Sequence, residues 1–184
     1  MALSDFQTQK LLHLFRTFFD TDHNGTVEKS DFDMVGDKIC KLRGWPVGSA
    51  EYVATHQRLA AVWDGISVHD IDHDGHISEA EWLKLWADAI AKKDKTDAWI
   101  RDYQEFMFKA QDISGDGTVD EEEFATLYAC LGMPAQQCKE AFNKLTLGGN
   151  GIVTKDIFQQ RFQEFIASDD KSAPGNYLFG CGKF

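Results

Sequence analysis

No stretch of this 184-residue chain approaches the roughly 18 consecutive apolar residues that a membrane-spanning helix needs. The opening residues do not read as a basic segment followed by an apolar one, which is the pattern of a secretory signal. Ala2 stands where N-myristoylation requires glycine. Cys181 occupies the prenylation position, but Gly182 and Lys183 are not aliphatic, so lipidation is not expected. Basic residues are short: 19 Lys and Arg face 30 Asp and Glu, a net charge of −11. That balance offers no patch to nucleic acid or to an anionic bilayer. The four cysteines, Cys40, Cys130, Cys138 and Cys181, show no close paired spacing, and reduced, semi-buried thiols are expected. A G-x4-G-K-[ST] phosphate loop is missing, so nucleotide hydrolysis has no support. These absences lead to an expectation of a cytoplasmic, monomeric chain, not an enzyme, with no nucleic-acid partner and no stable membrane insertion.

What is present is acidity gathered into short loops. Residues Asp70 to Glu81 read DIDHDGHISEAE and match D-x-[DN]-x-[DN]-G-x5-E, the EF-hand calcium loop, at every specified position. Ca²⁺ is a hard cation that takes six to eight oxygens. Asp70, Asp72 and Asp74 offer carboxylates on alternate residues, and Gly75 permits the sharp turn. The His76 carbonyl adds a backbone oxygen, Ser78 is placed to hold a water, and Glu81 closes the shell with two oxygens.

The pattern recurs. Residues 20–31 supply Asp20, Asp22, Asn24, the Thr26 carbonyl, Glu28 and Asp31 as candidate ligands. Asp31 is shorter by one C–C bond, about 1.5 Å, than the usual Glu. It is therefore expected to give one oxygen and a six-fold shell that Mg²⁺ also accepts. Residues 112–123 supply Asp112, Ser114, Asp116, the Thr118 carbonyl, Asp120 and a bidentate Glu123. Together the three loops hold half of the acidic residues, and three bound Ca²⁺, at two charges each, would bring −11 to −5. Residues 146–157 keep Gly151 at the turn and Val153 two residues on, but Thr146, Gly148 and Ile157 stand where carboxylates belong. That fourth loop is expected to be empty. His23 and His73 are expected to point outward, and His73 and His76 lack the companions that zinc needs, so they read as solvated loop residues.

Each turn glycine, at 25, 75, 117 and 151, is followed two residues later by Val27, Ile77, Val119 or Val153, and each loop by Phe32, Trp82, Phe124 or Phe158. One hand cannot bury its apolar face alone, so the fold class expected is all-α, with four helix–loop–helix units in two pairs. Short antiparallel β-bridges should set Val27 opposite Ile77 and Val119 opposite Val153. The empty fourth hand would hold the third loop in shape. Ser4 and Gln7 form a capping box that opens a helix whose Leu11, Leu12, Phe15 and Phe18 share a face. Further helices are expected over Asp31 to about Arg43, about Ser49 to His69, after the second loop to about Lys92 with Trp82, Leu83 and Trp86 on one face, and from about Thr96. The domain reading is an N-terminal pair over 1–93, a C-terminal pair over 94–167, and a tail over 168–184. That tail carries Tyr177, Leu178, Phe179 and Phe184, so docking into a groove between the halves is expected rather than fraying.

The layout resembles the invertebrate sarcoplasmic calcium-binding proteins, and within that family the calexcitin branch. The resemblance rests on residues 3–7 (LSDFQ), the Lys38–Cys40 and Gly44–Pro46 stretches, residues 175–180 (GNYLFG), and live loops one to three beside a degenerate fourth. It implies two EF-hand pairs and a cytosolic calcium-signalling or calcium-buffering role, neuronal in the calexcitin branch. A Ca²⁺ sensor working on a protein target is the alternative. Only four methionines occur and the apolar faces are Phe and Trp, whereas sensor grooves are Met-rich. A coelenterazine-type photoprotein would line a pocket with Trp63, Trp86, Trp99, Tyr103 and His56. Photoproteins, however, typically use loops one, three and four and end in proline, while here loop two is intact and the last residue is Phe184.

Overall fold

The computed structural model describes residues 2–92, 97–148, 151–182 and 184. The domain boundary expected at 93/94, the helix start expected near Thr96, and two positions of the fourth loop lie outside these residues. Among the described residues the chain forms α1 (Asp5–Leu14), α2 (Lys29–Arg43), α3 (Ala50–Ser67), α4 (Glu79–Ala91), α5 (Ala98–Gln111), β1 (Thr118–Asp120), α6 (Glu121–Cys130), α7 (Ala135–Leu145), β2 (Ile152–Thr154) and α8 (Lys155–Ala167). No helix among them is long and apolar enough to cross a membrane.

Local chemistry sets the ends. Ser4 accepts from the Gln7 amide while the Gln7 side chain accepts from the Ser4 amide, so the capping box is closed. Gly44, left-handed at φ 67°, ends α2, and Ser49 caps α3 through the Tyr52 amide. The α1 stripe departs from a regular helix. Residues Phe15–Phe19 form a π turn, closed by the Asp20 amide on the Phe15 carbonyl at 2.8 Å. A π turn carries more residues than an α turn. Phe18 and Phe19, neighbours in sequence, are both buried, while Leu12 is only half-buried. On α4, likewise, Leu85 takes the core position expected of Leu83.

Two units are defined, Met1–Tyr103 and Gln104–Phe184. In the first, a relay of rings runs from the π turn through α4 to the start of α5: Phe15 to Trp82 at 5.7 Å, Phe19 to Trp82 at 4.6 Å, Trp82 to Trp86 at 5.6 Å and Trp86 to Trp99 at 5.4 Å. His56 stands apart from that relay, stacked on Tyr52 at 4.3 Å. In the second unit Phe124 meets Phe142 at 5.3 Å and Phe108 meets Phe158 at 5.8 Å. Its strands pair antiparallel with Val119 opposite Val153, and in the first unit Val27 and Ile77 form a matching isolated bridge. The four residues after the loops, Phe32, Trp82, Phe124 and Phe158, are all buried.

The tail packs on its own unit. A 3₁₀ turn over Pro174–Tyr177 lies against α7 and α8, with Phe179 4.7 Å from Phe165 and 6.1 Å from Phe162. Gly175 approaches α8 so closely that a Cβ would fall 2.5 Å from the Arg161 carbonyl oxygen. Cys40, Cys138 and Cys181 are buried and Cys130 half-buried; among the described residues none forms a disulfide. Burial pushes the Cys138 thiol up to about 11, with the nearby Cys181 adding to the shift.

Candidate metal centres

Each of the first three loops is drawn into a ring by its own first and last acids. The turn glycine amide donates to the first aspartate: Gly25 to Asp20 at 3.0 Å, Gly75 to Asp70 at 2.9 Å and Gly117 to Asp112 at 3.0 Å. These glycines hold φ of 93°, 88° and 86°, values that side chains with a Cβ resist. The next amide donates to the fifth-position side chain: Thr26 to Asn24, His76 to Asp74 and Thr118 to Asp116, at 2.8–2.9 Å. The last carboxylate then spans the loop. Asp31 accepts from Thr21 and Glu28, Glu81 from Ile71 and Ser78, and Glu123 from Ser114 and Asp120.

The last carboxylate has a second task. Ser78 with Glu81, and Asp120 with Glu123, are the capping boxes of α4 and α6. The spacing S/T/D-x-x-E marks such a box in sequence, so the ninth and twelfth loop positions are legible as a helix start as well as a ligand pair.

This geometry leaves oxygens for a cation. In loop one, oxygens of Asp20, Asp22 and Asp31 lie within 4.8 Å of one another, and in loop two those of Asp70, Asp72 and Asp74 do. Like charges at such range repel unless a cation or proton sits among them. Asp70 Oδ1 is buried with no hydrogen-bond partner, an acceptor aimed inward. The all-oxygen donor set, rich in carboxylate, fits Ca²⁺. In loop three Ser114 replaces a third carboxylate, and among the described residues no such triplet forms there.

The closing acids differ electrostatically. Burial pushes the Asp31 carboxyl up, and the amides of Glu28, Thr21 and Asp22 only partly offset it. Burial also acts on Glu81, but donors from Ser78 and Ile71 outweigh it and hold that carboxyl below its ordinary value. The Thr118 hydroxyl and amide hold Asp116 low.

The fourth loop has none of this framework at its first position. The Thr146 hydroxyl turns back to donate to the Phe142 carbonyl at 2.9 Å, and Leu147 follows, exposed, at φ 56°. Thr154 caps α8 through the Ile157 amide. His23 and His73 are exposed, as expected, at φ 60° and 59°. His76 adds a contact to the sequence reading: its side chain keeps part of its surface in solvent, but Nδ1 is buried 3.3 Å from Glu28 Oε2 of the paired loop.

Helix–loop–helix units joined loop to loop, with alternating oxygens around a glycine turn, define an EF-hand protein. The EF-hand family model matches residues 68–86 and 104–128. Calexcitin-1 of Caenorhabditis elegans is 33% identical over 97% of this chain and 88% of its own length. The sarcoplasmic calcium-binding proteins II, V, VI and VII of Branchiostoma lanceolatum are 29% identical over 97% of this chain and 98% of theirs. The solved structure of an amphioxus sarcoplasmic calcium-binding protein superposes with a TM-score of 0.82 at 28% identity, covering 97% of this chain and 98% of that one. The chain belongs to the family of calexcitin and the sarcoplasmic calcium-binding proteins, and it binds calcium.

Proposed function

We propose that this protein takes up three Ca²⁺, in loops 20–31, 70–81 and 112–123, and serves as a cytosolic calcium buffer or signal modulator without catalysis. The observation that carries the reading is the shared framework of the three loops, in which the same positions donate and accept, set against a fourth loop whose first side chain hydrogen-bonds its own helix. The ligands are Asp20, Asp22, Asn24, the Thr26 carbonyl, Glu28 and Asp31 in loop one, and Asp70, Asp72, Asp74, the His76 carbonyl, Ser78 and Glu81 in loop two. Loop three uses Asp112, Ser114, Asp116, the Thr118 carbonyl, Asp120 and Glu123. Loop one, closed by the shorter Asp31, also admits Mg²⁺. Buffering over sensing is supported by the burial of the large apolar side chains: Trp82, Trp86, Phe124 and Phe158 are each at most 1% exposed, and Met107 is buried as well.

Isothermal titration with Ca²⁺, with and without Mg²⁺, tests the reading. Three sites are expected, one of them weakened by Mg²⁺; four sites, or fewer than three, would overturn it. A large rise in hydrophobic-dye fluorescence on calcium loading would instead establish a sensor.

A further inference from the structure

The backbone bridge between the N-terminal loops is tight: the Val27 and Ile77 amides each donate to the other's carbonyl, at 3.0 and 2.8 Å. In an antiparallel pairing the residues beside it, Glu28 and His76, stand opposite one another. Glu28 holds the ninth position of loop one. Its Oε1 accepts from the Asn24 amide group at 3.3 Å, and its Oε2 lies 3.3 Å from His76 Nδ1. That nitrogen is buried and forms no hydrogen bond, although the carboxylate oxygen lies within hydrogen-bond distance of it. The histidine is anchored to loop two in turn, since its own amide donates to Asp74 at 2.9 Å. The second unit has no counterpart: there Asp120 stands opposite Ile152, a side chain with nothing to offer a carboxylate.

Resting on the three-site reading above, we propose that His76 is a positioning residue that couples the two N-terminal calcium sites. Filling loop two takes the His76 carbonyl and fixes that residue's backbone. The imidazole is thereby fixed too, with the Nδ1 proton directed at Glu28 Oε2. Glu28 is then held at loop one beside Asn24, and loop one pays less ordering entropy when its own ion arrives. Coupling is reciprocal, so loop one favours loop two by the same factor. The side-chain contact acts in addition to the Val27–Ile77 bridge.

Backbone-amide NMR of the full chain during calcium titration gives the test, because Gly25, Gly75 and Gly117 each donate to the first aspartate of a different loop and report it separately. In His76→Ala the gap between the Gly25 and Gly75 midpoints should widen by roughly fivefold, at the low end of measured couplings, with Gly117 unmoved. His76→Gln, whose amide can still reach a carboxylate, should recover part of the gap. In a Glu28→Ala background, His76→Ala should move Gly25 no further. The calcium-free thermal midpoint of His76→Ala should stay near that of the parent, since the side chain is 40% exposed. An unchanged gap, or an equal shift at all three glycines, would overturn the proposal. A parent protein whose Gly25 or Gly75 ignored calcium would overturn the three-site reading itself.

Discussion

The Trp82 indole N–H donates to the Leu11 carbonyl oxygen at 2.8 Å, tying α4 to α1 across 71 residues of chain. Both partners are fully buried. Trp82→Phe keeps an aromatic ring in the Phe15–Phe19 cluster but removes this bond, leaving the Leu11 oxygen with the Phe15 amide as its donor. It should cost about 0.5–1.5 kcal/mol for the hydrogen bond, with the smaller ring adding to that. Urea unfolding of the calcium-free protein measures it, and an unchanged midpoint would contradict the role given to this bond.

Gly175 offers a test of the docked tail. A methyl there would meet the Arg161 carbonyl and the Glu164 Cβ at 2.5 Å, both in α8. Gly175→Ala should destabilise by about 1–3 kcal/mol, as overpacking does, and expose the bonds after Ser168 to protease. Equal cleavage rates in parent and variant would show that the tail is not held at this point.

His13 is half-buried against Phe18, and burial lowers its pKa. The folded chain then binds that proton less readily than the unfolded chain, whose histidines titrate near ~6.5. The stability is in full force above that value and is lost as pH falls through the lower folded value. His13→Gln should flatten the fall in urea midpoint between about pH 7.5 and 5. An identical fall in both proteins would contradict the assignment.

Thiol reactivity should follow burial. With the Cys138 pKa pushed up to about 11, almost none of it is thiolate at pH 8, and half-buried Cys130 should react first with a disulfide reagent. Mass mapping of the labelled peptides over time gives the order. Early labelling of Cys138 would mean that its pocket opens.

Glu81 should dominate loop two. Glu81→Gln removes a carboxylate that faces the loop and the α4 cap together, whereas changes outside the coordination shell already cost roughly 10–100-fold in metal affinity. A loss at least that large is expected at the Gly75 amide, with Gly117 unaffected. A smaller loss would show that loop two does not rely on this carboxylate.

The periodic features of the sequence were the legible ones. Alternating oxygens around glycines 25, 75 and 117, apolar residues two places on, and aromatics after each loop fixed both bridges and the buried ring positions, because spacing alone determines which side chains face inward. Ser4 with Gln7, and Gly44, marked real helix ends. Features that depend on three-dimensional contact were not legible. The π turn at Phe15–Phe19 has no propensity signal, since its residues also suit an α-helix. His76 read as a solvated loop residue because its partner, Glu28, lies 48 positions away in the sequence and is brought near only by the bridge. Leu83, read onto the face of Trp82 and Trp86, is only half-buried while Leu85 is buried, because the neighbours that a helix meets decide which of two flanking positions faces inward.

The π turn just ahead of Asp20 bears on how the four repeats can be interchanged. Among the described residues it occurs ahead of the first loop alone. Counted back from the first aspartate, the buried residues Leu11, Leu14, Phe15, Phe18 and Phe19 nevertheless hold the same places as Tyr103, Phe106, Met107, Ala110 and Gln111 before Asp112. A chimera that grafts the α5 segment before Asp20 should therefore keep its inward-facing side chains in register, and would dispense with the closure of the Asp20 amide on the Phe15 carbonyl.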